Sequence, residues 1–369
     1  MKVIVDSLAA ARKFKAGVSL HSHTLHSRES LGILYALRRR SPLLDVAVRL
    51  MESSFRKAAG ACDLNRGWWT PPLSAHEAWQ LERKQIEAIG LSPIVSLTDH
   101  DNIDAPLSLR VLDECSSVPV SVEWTVPFES TFFHVGIHDL PRRDARGWIR
   151  RFAEYTSGRT RDLAGIFDDL CASTNALAVL NHPFWDESGL GPAAHESALR
   201  RFMVRHGGFI HALEVNGLRP WTENRKALEY AKAIDRPVVS GGDRHGYEPN
   251  AVLNVTHAAT FAEFAEEVRS GHSNVLFTER YREPYGVRIV RNFAEMAGYL
   301  EAHAHGWRHW SERVFYQFED GGVRSVREVF GGTVPETLNA PFRLLGLARL
   351  RTFDRALRWA APARDVTYD

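Results

Sequence analysis

Histidine, aspartate and glutamate recur at the ends of short apolar runs in this chain, and that recurrence limits what it can fold into. The groups are His21-Ser22-His23, Thr98-Asp99-His100-Asp101, Glu123, His134, Asn181-His182-Pro183 and Asp243-Arg244-His245. Before them stand Val18-Ser19-Leu20, Ile94-Val95-Ser96-Leu97, Val118-Pro119-Val120-Ser121-Val122, Leu177-Ala178-Val179-Leu180 and Pro237-Val238-Val239-Ser240. Runs of this kind mark strands buried on both faces, the pattern of a parallel sheet covered by helices. Helical patterns lie between them. A capping box, Ser74 with Glu77, opens one that Gly90 and Pro93 close, and Arg161 to Thr174 and Thr222 to Ile234 are others. Strand, helix, strand in that order predicts an α/β fold, a barrel first, with functional groups at the C-terminal strand ends. Every candidate except His134 lies just after its run; His134 lies inside one.

Imidazole nitrogens and carboxylate oxygens together suit Zn, Mn or Fe. On extended backbone, residues two apart point the same way, so His21 with His23, and Asp243 with His245, can each reach one ion. Glu123 ends an apolar run, where a carboxylate is costly unless it meets a cation. Asp99 is placed to orient a liganding imidazole while His100 coordinates. His134 and His138 share strand parity, so either could face inward. Ser240-Gly241-Gly242 lets the backbone approach something closely. Taken singly, each group also reads as a surface turn or a helix cap.

Composition narrows the setting. Lys+Arg of 46 against Asp+Glu of 45 leaves a net charge of +1, with no global field to draw the chain onto nucleic acid. Cys62, Cys115 and Cys171 form no close pair, which disfavours a disulfide framework and a cysteine zinc site and points to a cytoplasmic setting. No apolar run is long enough for a membrane span. At 369 residues with 44% hydrophobic content, one barrel-sized domain plus an appendage is expected. The boundaries read as an extension over 1–16, a catalytic domain over 17–280 and a helical C-terminal region over 281–369. Within the second lies an inserted segment at about 31–72, with Leu34, Leu37, Leu43, Leu44, Val48 and Met51 among Arg38-Arg39-Arg40, Arg49 and Arg56. It follows a strand end, so it is a candidate lid. Phe293 to His303, Pro335 to Leu344 and Leu350 to Ala360 read as helices without clustered chemistry.

The ordered series Leu20-His21-Ser22-His23-Thr24, Thr98-Asp99-His100-Asp101 and Asp243-Arg244-His245 resembles the PHP (polymerase and histidinol phosphatase) superfamily over roughly residues 16–277. Within it, the Glu123-to-His134 interval and Asn181-His182-Pro183 resemble the metal-dependent phosphoesterase branch. The resemblance implies a distorted (β/α)7 barrel with two or three divalent ions. One would take His21, His23, Glu123 and Asp243, and a second His100, His245 and a residue after the first motif. A third would take Glu123, His134 and His182. Where the family carries a Ser-Asp-Gly sequence, this chain has His26-Ser27-Arg28-Glu29, so Glu29, with His26 as alternative, is the candidate. The implied reaction is phosphomonoester or phosphodiester hydrolysis, possible substrates including a nucleotide or a nucleic-acid end, by a metal-bridging hydroxide. Arg244 would stabilise developing charge, and Arg28, Arg66, Arg219 and Arg244 are candidate phosphate clamps. Three other readings stay open: hydrolysis of an amide or lactone, a non-catalytic metal-binding module, and nucleic-acid binding through Arg38-Arg39-Arg40.

Overall fold

A computed structural model describes residues 2–5, 7–40, 42–297 and 309–347. Its strands, in chain order, are β1 (Lys2–Val5), β2 (Ala16–Ser19), β3 (Glu29–Ser30), β4 (Gly67–Trp69), β5 (Ser92–Val95), β6 (Val122–Phe128) and β7 (Thr131–His138). After these come β8 (Leu177–Asn181), β9 (Ala212–Asn216), β10 (Val238–Gly241), β11 (Val252–Thr256), β12 (Asn274–Phe277), β13 (Val314–Gln317) and β14 (Val323–Ser325). They form three sheets, ordered β1-β12-β11-β2-β5, β10-β9-β8-β7-β6 and β14-β13-β4-β3.

The α/β class holds, while a closed barrel is not found. Between the two five-stranded sheets there are isolated bridges, Ser22 with Arg244 and His100 with Glu123, rather than continuous pairing. Both bridges lie just past or at the strand ends that carry the candidate residues. Nor are the sheets purely parallel: β7 runs antiparallel to β6 and β8, and β11 antiparallel to β2 and β12. The reason is local. The apolar run expected as a strand over 118–122 instead starts pairing at Val122 and continues past Glu123 to Phe128, where Glu129, at φ 54°, turns it back as a hairpin. His134 therefore faces the site from mid-strand.

Elsewhere local chemistry sets the elements as expected. Helix Ala75–Ala88 has its capping box, Ser74 with Glu77, and stops at Gly90, whose φ of 85° favours glycine. Leu163–Ser173 and Trp221–Ala233 match the two other helical patterns. Within the expected extension over 1–16, β1 pairs in parallel with β12.

The insertion contains two helices, Ile33–Leu37 and Pro42–Ala59, and then β4. It does not stand alone. β4 pairs with β13, and Phe55 packs with Trp310, Tyr316, Val326, Val334 and Leu338, so insertion and residues 309–347 share one core. The C-terminal region thus holds two strands besides the expected helix, found at Glu336–Leu347. Residues 298–308, with the end of the expected 293–303 helix, and the expected helix over 350–360 lie outside the described residues. Among the described residues, no helix is long and apolar enough to cross a membrane.

Candidate metal centre

Glu123 is the hub. Fully buried, it presents Oε2 to His21 Nε2 at 3.0 Å, His23 Nε2 at 3.3 Å and His100 Nδ1 at 3.3 Å. Its Oε1 lies 3.2 Å from His182 Nε2 and 3.5 Å from His134 Nδ1, and accepts a hydrogen bond from Asn181 Nδ2. Five imidazoles thus surround one carboxylate. Asp243 Oδ1 closes the near side, 3.4 Å from His23 and 3.6 Å from both His21 and His245. Glu29 Oε2 closes the far side, 3.2 Å from both His100 Nε2 and His245 Nε2. Ser27 donates to Glu29 Oε1 and sets its rotamer.

Among the described residues, four groups have ligand atoms close enough to share an ion: His21-His23-Asp243, His21-Glu123-His182, His23-Glu29-His245 and His23-His100-Glu123. Glu29 enters one of them and His26 none. His134, touching Glu123 and His182, and not His138, takes the place at the cluster; His138 is buried farther down β7, against Ser96.

Burial penalises every charge here, and close partners decide which survive. The Glu123 carboxyl lies well below its usual range, because His21, His100 and His134 overcome desolvation. Against the same penalty, Glu29 is lowered by His100, His245 and His23, and Asp243 chiefly by His21 and His23. Burial and the neighbouring His245 bring His23 down to about 4, and burial lowers His134 too. The carboxylates are held ionised while the imidazoles divide: His23 and His134 are lowered, whereas, against burial, Glu123 and Glu214 raise His21, Glu29 and Glu123 raise His100, and Glu29 raises His245, so a divalent ion would take the place of those protons. Two observations fit such an ion. His100 Nδ1 is buried without a hydrogen-bond partner among the described residues, and His21 Nε2 and His23 Nε2 converge to 3.0 Å while both face Glu123.

The supports were only partly foreseen. Glu214, 2% exposed, lies mid-strand in β9 and was missed; its Oε1 is 2.7 Å from His21 Nδ1, and its Oε2 accepts the His182 N–H. The available signal was one carboxylate between Leu213 and Val215. Gly241 and Gly242 do permit a close approach: a Cβ on Gly241 would collide with Glu214, and one on Gly242 with Asn250. Asp99 is aimed not at an imidazole but at Thr24, accepting its N–H at 2.5 Å and its hydroxyl at 2.7 Å, so it fixes the turn after His23.

Arg244 is a correction. The alternation that turns Asp243 and His245 inward turns Arg244 away, to Glu82 at 3.1 Å, with its other nitrogens donating to the Gly246 and Tyr247 carbonyls. Ser22, the middle residue of His21-Ser22-His23, donates to the same Glu82 carboxylate. Glu82, fully buried, therefore ties together the two strand ends that carry four of the candidate ligands. Arg28 also lies elsewhere, exposed over Trp68, whose face of the sheet is opposite that of Trp69. Trp69 is the site aromatic, 5.6 Å from the His245 ring. Arg219 remains close: it stacks 4.1 Å over Trp185, donates to Asp243 Oδ2 at 3.3 Å, and keeps a buried Nε with no hydrogen-bond partner among the described residues. Beside His134 and His182 a pocket of about 200 Å³ opens, lined also by Phe132, Trp185 and Glu187.

No family model and no curated protein matches the chain. Among solved structures, an amidohydrolase from Chromobacterium violaceum, with bound sulfate and no metal, aligns at TM-score 0.40 and 13% identity over 69% of this chain and 97% of that one. A protein from Bifidobacterium adolescentis, provisionally named a metal-dependent phosphoesterase, aligns at TM-score 0.34 and 16% identity over 55% of this chain and 92% of that one. At these scores neither likeness bears on what this chain does.

Proposed function

We propose that this chain is a metal-dependent phosphoester hydrolase of the PHP type, its two five-stranded sheets forming an opened version of the (β/α)7 barrel around the centre. The observation that carries the reading is Glu123, whose two oxygens face separate sets of imidazoles, three at one and two at the other. A carboxylate so flanked is suited to bridging two cations. His21, His23 and Asp243 would hold one ion, His100, His245 and Glu29 a second, and His134 and His182, with Glu123, a third. Bound divalent ions, Zn, Mn or Fe, supply an activated water and Lewis acidity.

The protein's own groups do the rest. Glu214 holds the His21 ring by its outer nitrogen, directing Nε2 at Glu123. Asp99 holds the end of the first motif by Thr24, and Glu82 holds its middle by Ser22. Arg219, stacked on Trp185, supports the phosphoryl reading, because its Nη2 lies beside Asp243 and its Nε has no hydrogen-bond partner among the described residues, so the guanidinium would be placed to donate to a phosphoryl oxygen at the centre. Phe132, Trp185 and Glu187 line the space for the rest of a small phosphoester or a nucleic-acid end.

Metal analysis of the purified protein, followed by turnover of phosphomonoesters, phosphodiesters, an amide and a lactone, tests this. Expected is a stoichiometric Zn, Mn or Fe content and hydrolysis of phosphoesters above the other bonds. Preference for the amide or lactone would overturn the phosphoester reading, and absence of bound metal would overturn the whole.

A further inference from the structure

Glu29 owes its position to a strand two residues long. So short a strand cannot hold itself, and within its sheet its sole neighbour is β4. In register, Glu29 stands opposite Trp69, and Trp69 opposite Val314 of β13. Just past β4 the contact tightens: the Thr70 N–H donates to the Arg313 carbonyl at 2.9 Å, and Arg313 Nη1, from a side chain 2% exposed, donates back to the Thr70 carbonyl at 3.0 Å. The Trp69 side chain meets His245, so β4 touches the same corner of the centre twice, through Glu29 and through His245. Behind β13 lies the core that Phe55 shares with Trp310 and Tyr316.

We propose that residues 309–347 are a positioning module for this corner: docking of β13 on β4 and ion binding at Glu29, His100 and His245 are linked. The proposal rests on the metal-dependent reading above. Linkage of this kind is reciprocal, so the ion must tighten β13 as much as β13 tightens the ion site. A C-terminal appendage that merely added stability would not respond to the ion.

The test is amide hydrogen exchange on the full chain, stripped by chelation and then given Mn²⁺ alone, with Mn²⁺ binding followed by calorimetry. Exchange at Val314–Gln317 is expected to slow by about tenfold on adding Mn²⁺. Glu29→Gln should abolish that slowing while the response at Leu177–Asn181 persists. Arg313→Met should weaken Mn²⁺ binding by about tenfold at one site and spare the others. Mn²⁺ bound with no change at β13, or slowing that survives Glu29→Gln, overturns the linkage. Failure of Mn²⁺ to bind at all overturns the metal-dependent reading and this proposal with it. If Arg313→Met does not fold, the exchange comparison between the native chain and Glu29→Gln still decides.

Discussion

Three side chains divide the work at the centre, and each has a separable signature. Glu123→Gln keeps the shape and the Asn181 contact but loses the charge facing five imidazoles, so metal content should fall and turnover drop by at least about a thousandfold while the circular dichroism spectrum stays native. Full turnover in that variant would remove Glu123 from the centre. Arg219→Ala should cut kcat/KM for phosphoesters by about a hundredfold, read by steady-state kinetics, with metal content intact. Arg244→Ala should instead cost stability, on the order of 3–5 kcal/mol by denaturant unfolding, because it leaves Glu82 buried without its cation. The convergence of His21, His23, Asp243 and His245 was legible from the sequence, because His-x-His and Asp-x-His spacing states which side chains share a face. The same rule, applied to the middle residues, sends Ser22 and Arg244 the other way, to Glu82, so alternation overrides the affinity of a guanidinium for phosphate at this position. Glu214 and Glu82 carry no motif, and their roles depend on distant neighbours, His21 for Glu214, 193 residues away, and Ser22, 60 residues away, with Arg244 for Glu82.

At the level of elements, helices were read with more success than strands. Caps such as Ser74 with Glu77 act within one turn, whereas an apolar run states no strand direction, and the reversal of β6 into β7 rests on the backbone of Glu129, not a usual turn residue. The contact between β8 and the segment entering β9 offers a pH test. His211 Nδ1 accepts the Ala178 N–H at 2.9 Å, and burial, then Arg269 and Arg236, lower its pKa from 6.5 to about 4. A histidine harder to protonate when folded favours unfolding as it gains its proton. Its contribution is therefore complete above 6.5 and is lost as pH falls from 6.5 toward 4. His211→Asn keeps an acceptor without the titration, so its stability should fall less over that window, by about 2 kcal/mol, in urea titrations at neutral pH and pH 4.5. Parallel pH profiles for the two proteins would exclude His211 as the source.

For the molecule as a whole, the segment beside the centre bears on which substrates we expect to enter. The segment between β3 and β4 comes directly from the first motif, contributes Trp69 beside His245, and is closed from behind by β13. That the insertion and the C-terminal region would share a sheet was not legible, since neither half carries a pattern that names the other. The consequence concerns access. A pocket beside the centre is lined by Trp185, Phe132 and Glu187, and with Trp69 set beside His245 we expect a substrate to enter there by an end. The protein should therefore hydrolyse a small generic phosphodiester, and a linear oligonucleotide only from an end. A covalently closed single-stranded circle of the same sequence should stay intact under the same conditions, followed on a denaturing gel. Cutting of the circle at a rate comparable to the linear strand would mean that the segment lifts enough to admit a chain interior, and the end-restricted reading would have to be abandoned while the metal centre stood.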